Sequence, residues 1–349
     1  MPPRVSVLMP VYNAARFVER AVQSILEQTF GDFELLLLDD GSSDGTREIV
    51  SRYREPRIRV LGSRENRGIG PTLNHGITES TGEYVARMDA DDVSYPDRLE
   101  CQVAFLDGHP HVGLCGGRAV TFGEDREIDF SRRGAALPET AEEIRIGLLF
   151  GPGMIHPTVM FRRQLFQDKN LWYKPLPYAQ DYELWSRAFF EIEPANLSST
   201  VLSYRVHASN AGSRVTDTQE LVKNEIWKPL LDRLGVPPSE AELEVHSQLA
   251  DLRVTPDWPF VLRVKDWVSR LREAGRGGPW WNERDYRRVL ALRFLGILQY
   301  ATKFGLRTLA LALGSGFHPL RRVALRDRAK FVIKCLIRYE RTSSRARSL

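Results

Sequence analysis

Three carboxylates within four residues, Asp89, Asp91 and Asp92, follow the apolar run Tyr84 to Met88 in the stretch EYVARMDADDVSYPDRLE. At ~5 Å, two carboxylates repel by roughly 3 kcal/mol at an effective dielectric near 20. A hard divalent cation, Mg²⁺ or Mn²⁺, removes that penalty, and a few carboxylates with positions left open for substrate phosphates are its usual setting. Strand alternation would send Asp89 and Asp91 to one face, within reach of one ion. The competing reading needs no metal: a polar loop whose Asp92 or Ser94 caps a helix beginning near Pro96.

The elements that must position these groups are read from apolar runs. Val5–Met9 reads as a buried strand ended by Pro10-Val11-Tyr12-Asn13, with a helix from about Ala14 to Glu27. Glu34–Leu38 is apolar on both faces, as a central parallel strand would be, and stops at Asp39-Asp40-Gly41. Asp44 is a natural N-cap for a helix running to about Tyr53. Ile58–Leu61, the turn Asn66–Gly70 with a helix to about Glu79, and the strand before Asp89 complete β-α-β-α-β-α-β. Every polar cluster follows a strand. In open parallel sheets ligands bind at the carboxyl ends of strands, so Asn13, Asp39–Asp44, Arg67 and Asp89–Asp92 would converge on one crevice. Asp39 or Asp40 would take a ribose hydroxyl or the N–H of a pyrimidine. The glycine-rich phosphate loops of dinucleotide-binding and P-loop folds are absent, so a metal would have to meet the phosphates.

The succession VSVLMPVYNAARFVERAVQSILEQTFGDFELLLLDDGSSDGT, ENRGIGPTLNHGI and TGEYVARMDADDVSYPDRL resembles the family 2 inverting glycosyltransferases, from about Val5 to His207. The resemblance implies an α/β GT-A fold, a Rossmann-like, mostly parallel sheet flanked by helices. It also implies a nucleotide-diphosphate sugar donor, a UDP-sugar foremost, a divalent metal and a saccharide or lipid-linked acceptor. Pro10, Tyr12 and Asp40 would line the nucleoside, with Asn13, Asp39 and Ala90 beside them and Arg67 near the base or diphosphate. Asp89 and Asp91 match the DxD pair, with Asp91 or Asp92 touching the metal. Asp181 falls where the family places the base that deprotonates the acceptor; by spacing alone it is a carboxylate at a helix N-terminus. Gln180 departs from the pattern, which commonly has a second acid there. Arg205 and His207 match an Arg-x-His in which Arg205 would meet the diphosphate and His207 the metal. His156 would contact acceptor or phosphate; read alone, it is a polar loop residue.

Two other readings compete. A sugar-phosphate nucleotidyltransferase also uses metal-binding carboxylates on such a sheet, but no basic glycine-rich loop follows Met9. A catalytically inactive nucleotide- or glycan-binding subunit would not need both the Asp cluster and Asp181.

The chain has 349 residues with a net charge of +4, unevenly spread: residues 282–349 hold sixteen Lys/Arg against four Asp/Glu. An acidic body with a basic end points to an anionic partner. No nucleic-acid module is present, so a membrane surface is favoured over nucleic acid. Three dispersed cysteines fit a reducing, cytoplasmic setting, and no run approaches the ~20 apolar residues of a span. Residues 1–212 are expected to form the catalytic domain and 213–349 a helical region. Helices are predicted at roughly 218–234, 239–251, 259–273 and 282–302, after a loop at 208–218. Trp280-Trp281 and the basic apolar stretches 290–313 and 320–339 would rest on the inner membrane face or pack as a helical cap.

Overall fold

The computed structural model describes residues 2–123, 134–207, 217–252, 256–314, 316 and 319–339. The chain divides into two compact units, Met1–Ile144 with Pro152–Gln219, and Arg145–Gly151 with Glu220–Leu349.

The first unit opens with the expected alternation: β1 (Val5–Val11), α1 (Val18–Leu26), β2 (Phe33–Asp40), α2 (Thr46–Ser51), β3 (Ile58–Ser63), α3 (Ile69–Glu79) and β4 (Tyr84–Arg87). There follow β5 (Val93–Ser94), α4 (Arg98–Gly108), β6 (Val112–Gly123), α5 (Ala141–Gly147), β7 (Met160–Arg162), α6 (Arg163–Asp168), α7 (Gln180–Ala188) and β8 (Glu193–Val206). The strands form one sheet in the order β3-β2-β1-β4-β7-β6-β8-β5. β3, β2, β1 and β4 are parallel neighbours, as are β6 and β8. β7 runs antiparallel to β4 and β6, and β5 antiparallel to β8, so the sheet is mixed.

Strand alternation explains why both faces are covered. Val5, Val7, Met9 and Val11 of β1 and Leu35 and Leu37 of β2 share a buried cluster with Val18, Ala21, Val22 and Ile25 of α1. Leu8 and Leu38 point the other way, onto α3. Each such side chain contributes about 1.5–3 kcal/mol when fully buried. A one-residue slip of β2 would turn its whole set to the wrong face, which fixes the register. Gly82 lets the turn before β4 press on β1: a Cβ there would lie 2.7 Å from the Ser6 amide nitrogen.

Several local expectations change. α1 begins at Val18, because the Ala14 and Ala15 amides donate to Thr46 Oγ1 and Asp44 Oδ2 instead of opening a helix. Asp44 therefore braces two loops, and Gly45, at φ +93, takes the N-cap position of α2. α4 starts at Arg98, without Asp92 or Ser94 as cap; Ser94 is in β5, paired with Leu202. A 3₁₀ turn, His156–Thr158, leads into β7. α6 and most of β8 were not anticipated.

The second unit is helical, with α8 (Asp217–Arg233), α9 (Glu240–Asp251), α10 (Trp258–Ala274), α11 (Glu283–Tyr300), α12 (Leu306–Gly314) and α13 (Leu325–Leu336). Ser239 and Glu242 close a capping box on α9, and Asp257 and Asn282 cap α10 and α11. At its centre His246 lies among Phe150, Trp227 and Trp267. Its Nε2 bonds the Leu149 carbonyl, and Trp267 Nε1 donates to its Nδ1, which fixes a neutral tautomer. Burial pushes its pKa down to about 4. Trp281 is buried and stacks on Tyr286, so it is a packing residue rather than an interfacial anchor. Of the loop expected at 208–218, residues 208–216 lie outside the described residues, and 217 and 218 already belong to α8. Among the described residues no helix is long and apolar enough to cross a membrane.

Candidate active site

The strand registers set Val11 against Asp39 and Leu8 against Arg87, so the carboxyl ends of β1, β2 and β4 line up. The loops beyond them enclose a cleft of about 450 Å³. Of the residues singled out in the sequence, Pro10, Tyr12, Asn13, Asp40, Asp89, Ala90, Asp91 and His207 line it. Phe17, Asn66, Gly68, Ile69 and Thr72 line it as well and were not foreseen.

Adjacent carboxylates on β2 have different fates, because consecutive side chains face opposite sides of a strand. Asp40 turns toward α3, where its two oxygens accept the Arg67 and Gly68 amides, both at 2.9 Å. It anchors the start of α3 while bordering the cleft. Asp39 turns toward α2 and is occupied by Arg47 Nε at 2.7 Å and the Ser42 amide at 3.0 Å. It does not line the cleft, and neither does the exposed Arg67 side chain. Gly41, at φ +79, permits the close approach of these loops, since a Cβ would stand 2.8 Å from the Asn66 nitrogen. Asn13 is left-handed (φ +49), and its Oδ1 accepts the Ser43 amide. Tyr12 is 51% exposed and presents an aromatic ring at the cleft.

β4 ends at Arg87, so strand alternation does not place the acidic group. A turn does, with the Asp92 amide 3.4 Å from the Asp89 carbonyl. It gathers all three carboxylates, with one oxygen of each within 4.8 Å of the others. Arg87 is 3% exposed and grips Asp89 with both terminal nitrogens, at 2.7 and 2.5 Å. Burial pushes the Asp89 pKa up, Arg87 pulls against that, and Asp91 and Asp181 add to the rise. Asp92 lies deeper, bonded through Oδ1 to the Arg205 amide at 2.8 Å. Its Oδ2 is buried with no hydrogen-bond partner, and burial, Asp89 and Asp91 drive its pKa well up. An acidic group this short of positive charge, built of oxygens with one imidazole at its edge, fits a hard divalent cation.

His207 Nε2 lies 2.8 Å from Asp91 Oδ2, and both border the cleft. Arg205, on β8, is buried under them. Its Nε donates to the Asp91 carbonyl at 2.7 Å, and its guanidinium lies 4.8 Å from the Phe17 ring centroid and 4.5 Å from that of Phe122. Arg205 therefore holds the acidic turn from behind rather than facing the cleft.

Asp181 sits in the first turn of α7, after Ala179, a non-glycine residue at φ +54. Burial raises its pKa, partly offset by the Tyr182 amide and the Arg87 charge. It is close enough to Asp89 to feel its charge, but does not line the cleft. His156 bonds Tyr173 Oη at 2.9 Å and stands edge-on to Trp185. Burial, then the Arg87 charge, hold its pKa well below the usual histidine value, and it is not among the residues that line the cleft. Arg87 is the main residue the sequence reading missed. Its signal was a charge inside an apolar strand, two residues before Asp89.

The glycosyl transferase family 2 profile matches residues 6–168. A Bacillus subtilis protein, EpsE, which carries a provisional glycosyltransferase name, is 36% identical over 54% of this chain and 68% of its own. An uncharacterized glycosyltransferase of Rickettsia conorii is 29% identical over 66% of this chain, which spans only 38% of that longer protein. Residues 1–349 of S. aureus TarS, crystallised with UDP-GlcNAc, superpose with a TM-score of 0.56 at 20% identity, covering 91% of this chain and 89% of that one; this likeness concerns the fold alone. The alternation of β1 to β4, the acidic turn at their carboxyl ends and these matches together make the chain a member of glycosyl transferase family 2.

Proposed function

We propose that the chain is an inverting glycosyltransferase that moves a sugar from a nucleoside-diphosphate donor to a hydroxyl of a saccharide or lipid-linked acceptor. The observation that carries this reading is the cluster of Asp89, Asp91 and Asp92 at the rim of a cleft built from parallel strand ends. A UDP-sugar is the first donor to test, because TarS, which shares the fold, was crystallised with one.

In this reading the nucleoside lies over Pro10 and Tyr12, with Asp40 accepting from its base or ribose. Asp91 and His207 face the cleft and, with Asp89 and Asp92, would hold Mg²⁺ or Mn²⁺. The bound ion would offset charge gathering on the departing diphosphate. Arg87 keeps Asp89 oriented, and Arg205 fixes the backbone of the turn. Asp181 takes the acceptor proton as that oxygen attacks the anomeric carbon. Attack opposite the leaving diphosphate breaks the sugar–phosphate bond and inverts the centre. Burial raises the Asp181 pKa, which strengthens it as a base, and the Tyr182 amide and the Arg87 charge work against that rise.

Proton NMR of the product from an α-linked donor tests the stereochemistry. A β-linkage is expected, and Asp181→Asn should cut turnover by about 10²–10⁴ with unchanged donor-nucleotide affinity. Retained configuration, or near-normal turnover in Asp181→Asn, would refute the assignment.

A further inference from the structure

Packing consumes most of the apolar residues of α11, where Leu290, Phe294 and Leu298 are buried and Leu292 alone among the leucines is exposed. It does not consume those of α12 and α13. On α13, Leu325, Ala329, Ile333 and Leu336 fall at i, i+4, i+8 and i+11, one face of a helix, and all are exposed. The opposite face, Phe331 and Cys335, is buried and supplies the attachment to the unit. The neighbouring α12 repeats the arrangement: Leu306, Ala310 and Leu313 are exposed at i, i+4 and i+7, while Thr308 and Ala312 are buried. The four leucines and Ile333 are each between 55% and 77% exposed.

The charge around the stripe is one-sided. Arg326, Lys330 and Lys334 follow at four-residue spacing along the border of the α13 stripe, and Asp327 is the one acidic residue of that helix. Arg321 and Arg322 stand exposed in the turn just before it. We propose that the outer face of α12 and α13 is a docking surface for an anionic lipid bilayer. A stripe of leucine and isoleucine enters the headgroup–acyl boundary while bordering lysines and arginines reach the lipid phosphates. Charge selects this occupant over the alternatives. A symmetric contact with a second copy would oppose one basic row with another. A nucleic acid would meet the cations but leave the leucines in water. This surface is read independently of the donor site.

The test is flotation of the full chain with vesicles of phosphatidylcholine alone or mixed with phosphatidylglycerol, without any sugar donor. Binding to the mixed vesicles that weakens with salt is expected, with little binding to phosphatidylcholine alone. Arg326→Gln combined with Lys330→Gln should weaken binding roughly thirtyfold, at about five- to sixfold per charge. Leu325→Ser with Ile333→Ser should abolish it at an unchanged melting temperature, since both positions are exposed. Three results would overturn the proposal: no vesicle binding, equal binding to both vesicle types, or a chain that ignores vesicles yet sediments as a dimer disrupted by Leu325→Ser with Ile333→Ser. Because no donor is present, none of these outcomes depends on glycosyl transfer.

Discussion

Removing Arg87 should uncover how strongly the acidic turn depends on one buried cation. The guanidinium is 3% exposed and the Asp89 side chain 27%, joined at 2.5 and 2.7 Å. Burial alone would lower the Arg87 pKa, yet it is raised, because the Asp89 charge and hydrogen bond outweigh desolvation. Two unit charges about 4 Å apart attract by about 4 kcal/mol at an effective dielectric of 20. Breaking a buried pair from one side typically costs about 3–5 kcal/mol. Arg87→Met should therefore destabilise the first unit by about 3–5 kcal/mol. At roughly 2–4 °C per kcal/mol for a unit of this size, melting falls by on the order of 10 °C. Much of that loss is the charge left on Asp89 beside Asp91 and Asp92, so Arg87→Met with Asp89→Asn should recover part of it. The assay is a double-mutant cycle by scanning calorimetry, with an expected coupling of about 2–3 kcal/mol. A coupling under about 0.5 kcal/mol would mean that the pair does not organise the turn.

Two further outcomes follow from packing and ionisation. His246 is held neutral, with a folded pKa of about 4 against about 6.5 when unfolded. The unfolded chain binds more protons between these values, so stability is full above about pH 6.5 and falls as pH drops toward 4, by up to about 3 kcal/mol. Urea midpoints of the second unit at pH 7 and pH 4.5 should differ accordingly, and His246→Phe should flatten that difference. Gly82→Ala should cost about 1–3 kcal/mol, because the new methyl meets β1 backbone rather than a side chain that can swing aside. A midpoint unchanged in Gly82→Ala would contradict the close approach.

The parallel half of the sheet was legible because it is written locally. Leu35 to Leu38 are apolar on both faces, and each strand ends in residues that turns require. The same locality exposed Asp40, Asp89 and Asp91, which belong to strand ends. Local pattern did not separate Asp39 from Asp40; that depends on which way β2 faces α2 and α3. Nor did it reveal most of β8, whose first part, EPANLSSTV, carries proline and polar residues and becomes a strand by pairing with β6. Arg205 shows the limit differently. It was expected to meet the diphosphate, whereas Phe17 and Phe122, from distant segments, lie against its guanidinium behind the turn. The helical unit was predicted to within a few residues at its first four helices, yet which apolar faces stay bare depends on tertiary packing.

The central claim, a metal-assisted nucleoside-diphosphate site at the β1, β2 and β4 ends, is tested most directly by thermal shift with UDP, dTDP and GDP, each with and without Mn²⁺. A ligand at 100 times its dissociation constant stabilises the folded state by about 2.7 kcal/mol. Stabilisation by one diphosphate that requires Mn²⁺ and disappears in Asp91→Ala is the predicted result. A chain indifferent to all three diphosphates, or one whose response survives Asp91→Ala and metal removal, would contradict it.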